Sequence, residues 1–182
     1  MPNSKSAYSF SNKKEKFDTH IIVVWVDNEA GVLARVVGLF SGRGYNIESL
    51  AVAQVDEKLK ISRITIVTTG TPQVINQIKL QLRKLVPVHK VADFKREDKS
   101  VIFKEMALFK IVAKKNKIDK CLNACKKFNP VILDKTKKSV VIQITALRRE
   151  IDIMNKKLKP LGLISTSRTG AVAMTRGAKI FN

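Results

Sequence analysis

Apolar positions along this chain switch between a strand-like and a helix-like period. His20-Ile-Ile-Val-Val-Trp-Val26 is an unbroken run rich in β-branched residues and predicts a buried strand. Asp27-Asn28-Glu29-Ala30-Gly31 interrupts it. Asn28 is placed to cap a following helix, because its side chain can accept an orphan backbone N–H. Val32, Leu33, Val36, Val37, Leu39 and Phe40 then fall at helical spacing, and Gly42 and Gly44 stop that helix, one of them in the left-handed conformation. Tyr45–Ala53 predicts a second strand, Asp56–Lys60 a turn and Ile61–Thr69 a third strand, whose polar start at Ser62 and Arg63 marks a bulge or an edge. Pro72 opens a second helix, with Val74, Ile75, Ile78, Leu82 and Leu85 on one face, and Val86–Phe94 predicts a fourth strand. The order is β-α-β-β-α-β, the ferredoxin-like arrangement.

The second half repeats that order. Glu105–Ala113 predicts a strand and Lys117–Phe128 a helix carrying Ile118, Leu122 and Ala124. Val131–Leu133 and Val140–Thr145 are strands around the polar turn Asp134–Lys138. Leu147–Leu158 is a helix with Ile151, Ile153, Met154 and Leu158, and Leu161–Thr166 is a last strand before the tail Gly170–Gly177. The expected fold is α+β: two small βαββαβ units over 20–95 and 96–182, joined near Lys95–Lys99, behind a flexible arm over 1–19. Units this small bury a marginal core, so association is expected.

Composition narrows the class. At 182 residues and 45% hydrophobic, the chain can bury a core, yet its longest apolar runs are strand-sized and too short to span a membrane. Residues 1–19 contain Ser4, Ser6, Ser9, Ser11 and a Lys13-Lys14-Glu15-Lys16 run. They lack an apolar stretch and read as neither a secretory signal nor a transit peptide, so a cytoplasmic protein is expected. Two cysteines do not make a disulfide framework. The net charge of +20 would suit nucleic acid. Its excess is concentrated in residues 96–182, which carry twenty-one basic and seven acidic residues, mostly lysine, and aromatic stacking platforms are scarce at 6%. Lys114, Lys115, Lys117, Lys126, Lys127, Lys156, Lys157 and Lys159 therefore read as solvated faces, and nucleic acid is the disfavoured partner.

Catalytic constellations do not emerge. His20 and His89 sit at or inside predicted strands with no cysteine or carboxylate cluster in the sequence around them, short of the three or four ligands a metal needs. Cys121 and Cys125 share a helical face and read as packing residues. Gly42-Arg43-Gly44 closes a helix where a dinucleotide loop would open one. The first strand–helix junction remains. Its unpaired helical N–H groups suit a small anion such as a carboxylate, and Gly31 lets a ligand approach the backbone. Asn28 and Asn46 can supply polar contacts, and Val32, Leu33 and Ile47 apolar ones. Capping by Asn28 and turning by Gly31 would account for the same residues without any ligand.

The stretch Val26-Asp-Asn-Glu-Ala-Gly-Val-Leu-Ala-Arg-Val-Val-Gly-Leu-Phe-Ser-Gly-Arg-Gly-Tyr-Asn-Ile-Glu-Ser-Leu50 resembles the opening of the regulatory (small) subunits of acetolactate synthase, also called acetohydroxyacid synthase. Ser62–Gly70, Gln77–Val86 and the tail Ser167-Arg-Thr-Gly-Ala-Val-Ala-Met-Thr-Arg-Gly177 are similar to the same family. The resemblance spans roughly 20–177 and is strongest over 20–95. It implies an N-terminal ACT domain followed by a smaller C-terminal α+β domain. It also implies a homodimer through the ACT sheets and a branched-chain amino acid, usually valine, held between protomers. By position, the effector contacts fall on Asn28, Gly31, Val32 and Leu33, with Asn46 and Ile47 reaching across the pair. The implied role is non-catalytic: the chain activates a separate catalytic subunit and confers feedback inhibition by valine. Thiamine diphosphate, Mg²⁺ and FAD are expected in that partner, with no cofactor or metal in this chain. A stand-alone ACT sensor for another enzyme and a basic nucleic-acid-binding protein are the alternatives.

Overall fold

Ile22, Val24 and Val26 leave the first strand on one side, Ile21, Val23 and Trp25 on the other, and each set packs into an apolar cluster. A computed structural model describes residues 17–178; of the expected arm over 1–19, all but the last three residues lie outside that range. The first unit comprises β1 (Asp18–Asp27), α1 (Val32–Ser41), β2 (Ser49–Asp56), β3 (Ile61–Gly70), α2 (Pro72–Leu82) and β4 (Val88–Lys95). The strands form an antiparallel sheet in the order β2-β3-β1-β4. Val32, Val36, Leu39 and Phe40 of α1 and Ile75, Ile78 and Leu82 of α2 pack on Ile22, Val24, Val26, Ile64 and Ile66. Full burial of each such side chain contributes about 1.5–3 kcal/mol. Pro72 occupies the first turn of α2, where its missing N–H costs little, and the Thr71 hydroxyl caps the Val74 N–H.

Three expectations for this unit are corrected. First, β2 begins at Ser49, four residues later than predicted, because Tyr45 is tied to α1. Its N–H donates to the Phe40 carbonyl, and its ring meets Phe40 edge-on. Second, β4 begins at Val88; Val86 is 95% exposed in the turn that follows α2. Third, β3 is an interior strand, so its polar start is not an edge. The bulge alternative holds at this place, with the extra residue on β2: the register slips between Gln54 and Asp56, opposite Ser62 and Ile61. Gly42 is right-handed, and Gly44 takes the left-handed conformation.

The second unit comprises β5 (Val101–Val112), α3 (Lys115–Cys125), β6 (Val131–Lys135), β7 (Ser139–Ala146), α4 (Arg148–Leu158), β8 (Leu163–Arg168) and β9 (Val172–Thr175). Its main sheet runs β6-β7-β5-β8, with Ile118, Cys121, Cys125, Ile151, Met154 and Leu158 packed on Ala107, Phe109, Ile111, Val140, Ile142 and Ile144. Ile153, placed in the apolar set by sequence, is exposed instead, and so are all eight lysines assigned to solvated faces.

Two features go beyond the expected elements. The tail contains a strand, β9, and β5 starts four residues early to pair with it, from Val101↔Thr175 to Lys104↔Val172. This short ladder covers the back of the first sheet. Val101, Phe103, Ala171 and Ala173 pack on Ile21, Val23 and Val67, and Arg63 Nη2 donates to the Ala173 carbonyl at 2.6 Å. Where β5 passes from one sheet to the other, Glu105 points inward and is 2% exposed. Both its carboxylate oxygens accept from Arg168 of β8, whose guanidinium also donates to Asp152 of α4 at 2.7 Å. That bidentate pair, above all, holds the Arg168 guanidinium protonated beyond its usual range.

Candidate functional site

β1 ends at Asp27, whose N–H donates to the Pro87 carbonyl, and Asn28 N–H donates to the Lys60 carbonyl in the β2–β3 turn. The chain then turns through Gly31 at φ 83° before α1 begins at Val32. That left-handed backbone requires glycine or a small penalty. Gly31 itself is the N-cap residue, and no side chain caps the helix. Asn28 is therefore not the cap that its position suggested. It lies three residues too early, and its Oδ1 instead accepts from Ser62 Oγ at 3.0 Å, fastening the junction to β3. A Cβ built on Gly31 would meet no atom within 4 Å, so the backbone here is open to approach.

Of the apolar residues in the predicted set, Val32 is 3% exposed and its side chain belongs to the core; it presents only its backbone to the junction. Leu33 is 40% exposed beside it. Asn46 and Ile47 lie elsewhere, in the segment between α1 and β2. The Asn46 carbonyl accepts from Thr68 Oγ1 at 2.7 Å, and Ile47 packs partly into the core. The ten residues of α1 separate this segment from Gly31 by about 15 Å. Within one chain, the six residues thus form two groups at opposite ends of α1. Glu48, which sequence reasoning passed over, follows Ile47 and is held by Thr69 Oγ1 at 2.5 Å.

The histidines do not meet each other. His20 Nδ1 lies 2.6 Å from Asp93 Oδ1, and His89 Nε2 lies 2.6 Å from Asp27 Oδ1, towards opposite ends of the β1–β4 ladder. Each has its own carboxylate, a pairing across strands that linear sequence hides. Among the described residues, no group of three or more His, Cys, Asp or Glu is placed to hold a metal ion. No described helix is long and apolar enough to cross a membrane.

Cys121 and Cys125 are buried against the second sheet. Burial pushes both thiols up, Cys125 to about 12 with Cys121 beside it adding to the effect. The native state therefore holds protons that the unfolded chain releases. This contribution is intact below the ordinary thiol range near 9 and is lost as pH rises from there towards 12. Ellman's reagent should label neither thiol rapidly in the folded protein at pH 8 and both after unfolding in urea; fast native labelling would contradict this burial.

Comparison with known proteins is consistent across the two halves. Residues 22–90 match the family model described as an AHAS small subunit-like ACT domain, and residues 104–177 match the one described as the small subunit of acetolactate synthase. The acetolactate synthase small subunit of Aquifex aeolicus is 38% identical over 169 residues, covering 92% of this chain and 86% of that protein. That of Haemophilus influenzae is 38% identical over 160 residues, covering 87% and 96%. The crystal structure of the acetolactate synthase small subunit from Thermotoga maritima superposes with a TM-score of 0.77 at 31% identity, covering 88% of this chain and 99% of that one. This chain belongs to the acetolactate synthase small-subunit family, with an ACT domain as its first unit.

Proposed function

We propose that the chain is a regulatory subunit: it activates the catalytic subunit of acetolactate synthase and inhibits it when a branched-chain amino acid, L-valine, is bound. The partner carries the chemistry with thiamine diphosphate, Mg²⁺ and FAD, and this chain holds none of them. Residues 20–95 form the effector-binding domain and residues 96–182 a separate small-subunit domain.

The observation that carries this reading is the direction of the strands around the split site. β2 lies at the edge of its sheet and runs parallel to β1, since both pair antiparallel to β3. The end of β2 therefore lies beside the end of β1 and the start of α1, while the Asn46–Ile47 segment precedes the start of β2. A two-fold axis that pairs β2 antiparallel with its copy brings the start of one β2 to the end of the other. Asn46 and Ile47 of one protomer then face Asn28, Gly31 and Leu33 of the next. Val52 and Val55, both about half exposed, supply apolar surface along that edge. The effector carboxylate sits on the N–H groups of Gly31 and Leu33 at the start of α1, while the Val32 N–H turns to the Glu29 carbonyl at 3.4 Å. The asparagine side-chain oxygens accept from the ammonium group, and Leu33 and Ile47 pack on the aliphatic side chain. Valine alters activity because it binds the less active arrangement of the holoenzyme more tightly.

Sedimentation velocity with calorimetry tests this assembly. The wild-type chain is expected to be a dimer that binds valine. Val52→Glu sets like charges against each other across the two-fold and should weaken dimerisation by more than about tenfold, with valine binding lost in parallel. A variant that binds valine normally as a monomer would place the site within one chain and contradict the split.

A further inference from the structure

The segment that carries Asn46 and Ile47 is held from behind by the second domain. Arg148, the first residue of α4, donates from Nη2 to the Glu48 carbonyl at 3.2 Å and lies 3.7 Å from Glu48 Oε2. Both side chains are largely buried for charged groups, at 25% and 29% exposed. One residue further on, Ser49 Oγ accepts from the Ala171 N–H at 3.4 Å. A Cβ on Gly170, at φ +81°, would stand 2.8 Å from that Oγ and 3.2 Å from the Leu50 carbonyl, so the tail lies directly against the start of β2. The tail is in turn fixed to β5, with Thr169 N–H donating to the Met106 carbonyl and Thr169 Oγ1 accepting from Met106 N–H.

Glu48 is thus the point where the two domains grip one short segment. On the first domain's side, Thr69 holds its carboxylate, and its N–H donates to the Val67 carbonyl. On the second domain's side, Arg148 holds its carbonyl and its carboxylate. A charged, bidentate-capable group is used where a packing contact would have served, and it fixes direction as well as distance. Helix α4 also carries this arginine at its first position, where a cation opposes the helix dipole. The dipole gives no local reason for an arginine there, whereas the contact with Glu48 does.

We infer that Arg148 is a positioning residue for the effector site. Through Glu48 it sets the Asn46–Ile47 segment in the position that closes over an amino acid bound to the partner's α1. The inference rests on the regulatory reading above. It assigns to the second domain a part in effector affinity that the six contact residues alone do not include. Because the grip is mutual, occupancy of the site changes how tightly α4 is held, and the two domains are coupled in both directions.

The test is valine binding and valine inhibition, measured on the full chain and on the holoenzyme reconstituted with its catalytic subunit. Arg148→Ala and, from the other side, Glu48→Gln should each weaken valine binding roughly tenfold while the dimer forms and the catalytic subunit is still activated. Arg148→Lys, which keeps the charge with fewer bonds, should recover part of the loss. The double variant Arg148→Ala/Glu48→Gln should be no worse than the poorer single, as expected for two ends of one contact. Wild-type valine affinity in both single variants would overturn the inference and leave the effector pocket standing. A wild-type chain that binds no valine at all would overturn the pocket, and this inference with it. Additive losses in the double variant would also overturn it, since Arg148 would then act by some route other than Glu48.

Discussion

Replacing Gly31 with aspartate is expected to abolish valine inhibition of the holoenzyme and to leave activation of the catalytic subunit largely intact. Two effects act together. Aspartate at φ 83° is strained by about 1 kcal/mol, which lowers stability slightly without unfolding the domain. Its carboxylate also enters the space proposed for the effector carboxylate. Two like charges about 4 Å apart repel by about 4 kcal/mol at the effective dielectric of a partly solvated site. Valine binding should therefore fall by more than about a hundredfold. A Cβ on Gly31 meets nothing within 4 Å, so crowding inside the protomer adds nothing to the result. Gly31→Asn separates charge from shape, because asparagine tolerates the left-handed backbone and is the same size. It should weaken valine binding, but distinctly less than aspartate. Equal losses in the two variants would argue against a carboxylate at this position, and full valine sensitivity in the aspartate variant would remove the pocket from the junction.

The second large effect concerns the tail. Arg168→Ala leaves Glu105 buried with no ion-pair partner among the described residues. Stranding one partner of a buried pair costs about 3–5 kcal/mol, a sizeable share of a domain's total stability of about 5–15 kcal/mol. The cost falls on Glu105, since Asp152, the other acceptor, is 45% exposed and can return to water. Urea denaturation should show the midpoint falling steeply. Because Arg168 ends β8 and the chain leads from it into β9, protection of the β9 amides against hydrogen exchange should fall with it. Replacing both partners with apolar residues, Arg168→Met with Glu105→Leu, should recover most of the loss, because no charge is left buried alone. A loss below about 1 kcal/mol for Arg168→Ala would mean that the pair contributes no more than a surface ion pair.

The same Glu105 explains much of what could be read from sequence and what could not. Val101, Phe103, Ala107, Phe109 and Ile111 share one buried phase across twelve residues of β5, which is a strong strand signal. A glutamate in that phase reads as a solvated position, so the predicted strand began there and missed its first four residues. Its partner, Arg168, lies 63 residues away, and no local pattern announces it. The strand β9 was missed for a related reason. Four residues with a single buried side chain carry little periodicity, and what makes them a strand is the free edge offered by the start of β5. By contrast, both βαββαβ orders and the face of each helix of the first unit were legible, because their cores consist of β-branched and aliphatic residues at regular spacing. At the candidate site, the glycine at the left-handed turn was readable from its type. The role of Asn28 was not, since sequence cannot show that Ser62 would be within reach of its side chain. That α1 stands between Asn46–Ile47 and the other four residues was legible from the predicted helix; what the structure adds is the separation, about 15 Å over its ten residues.

Acetolactate formation by the catalytic subunit from the same source tests the account most directly. It is measured with the catalytic subunit alone, with this chain added, and with both during titration of L-valine. The regulatory reading predicts a rise in rate that saturates with added chain and is reversed by valine in the wild type, but not in Gly31→Asp. Unchanged rates at every ratio, with no complex formed between the two proteins, would contradict it.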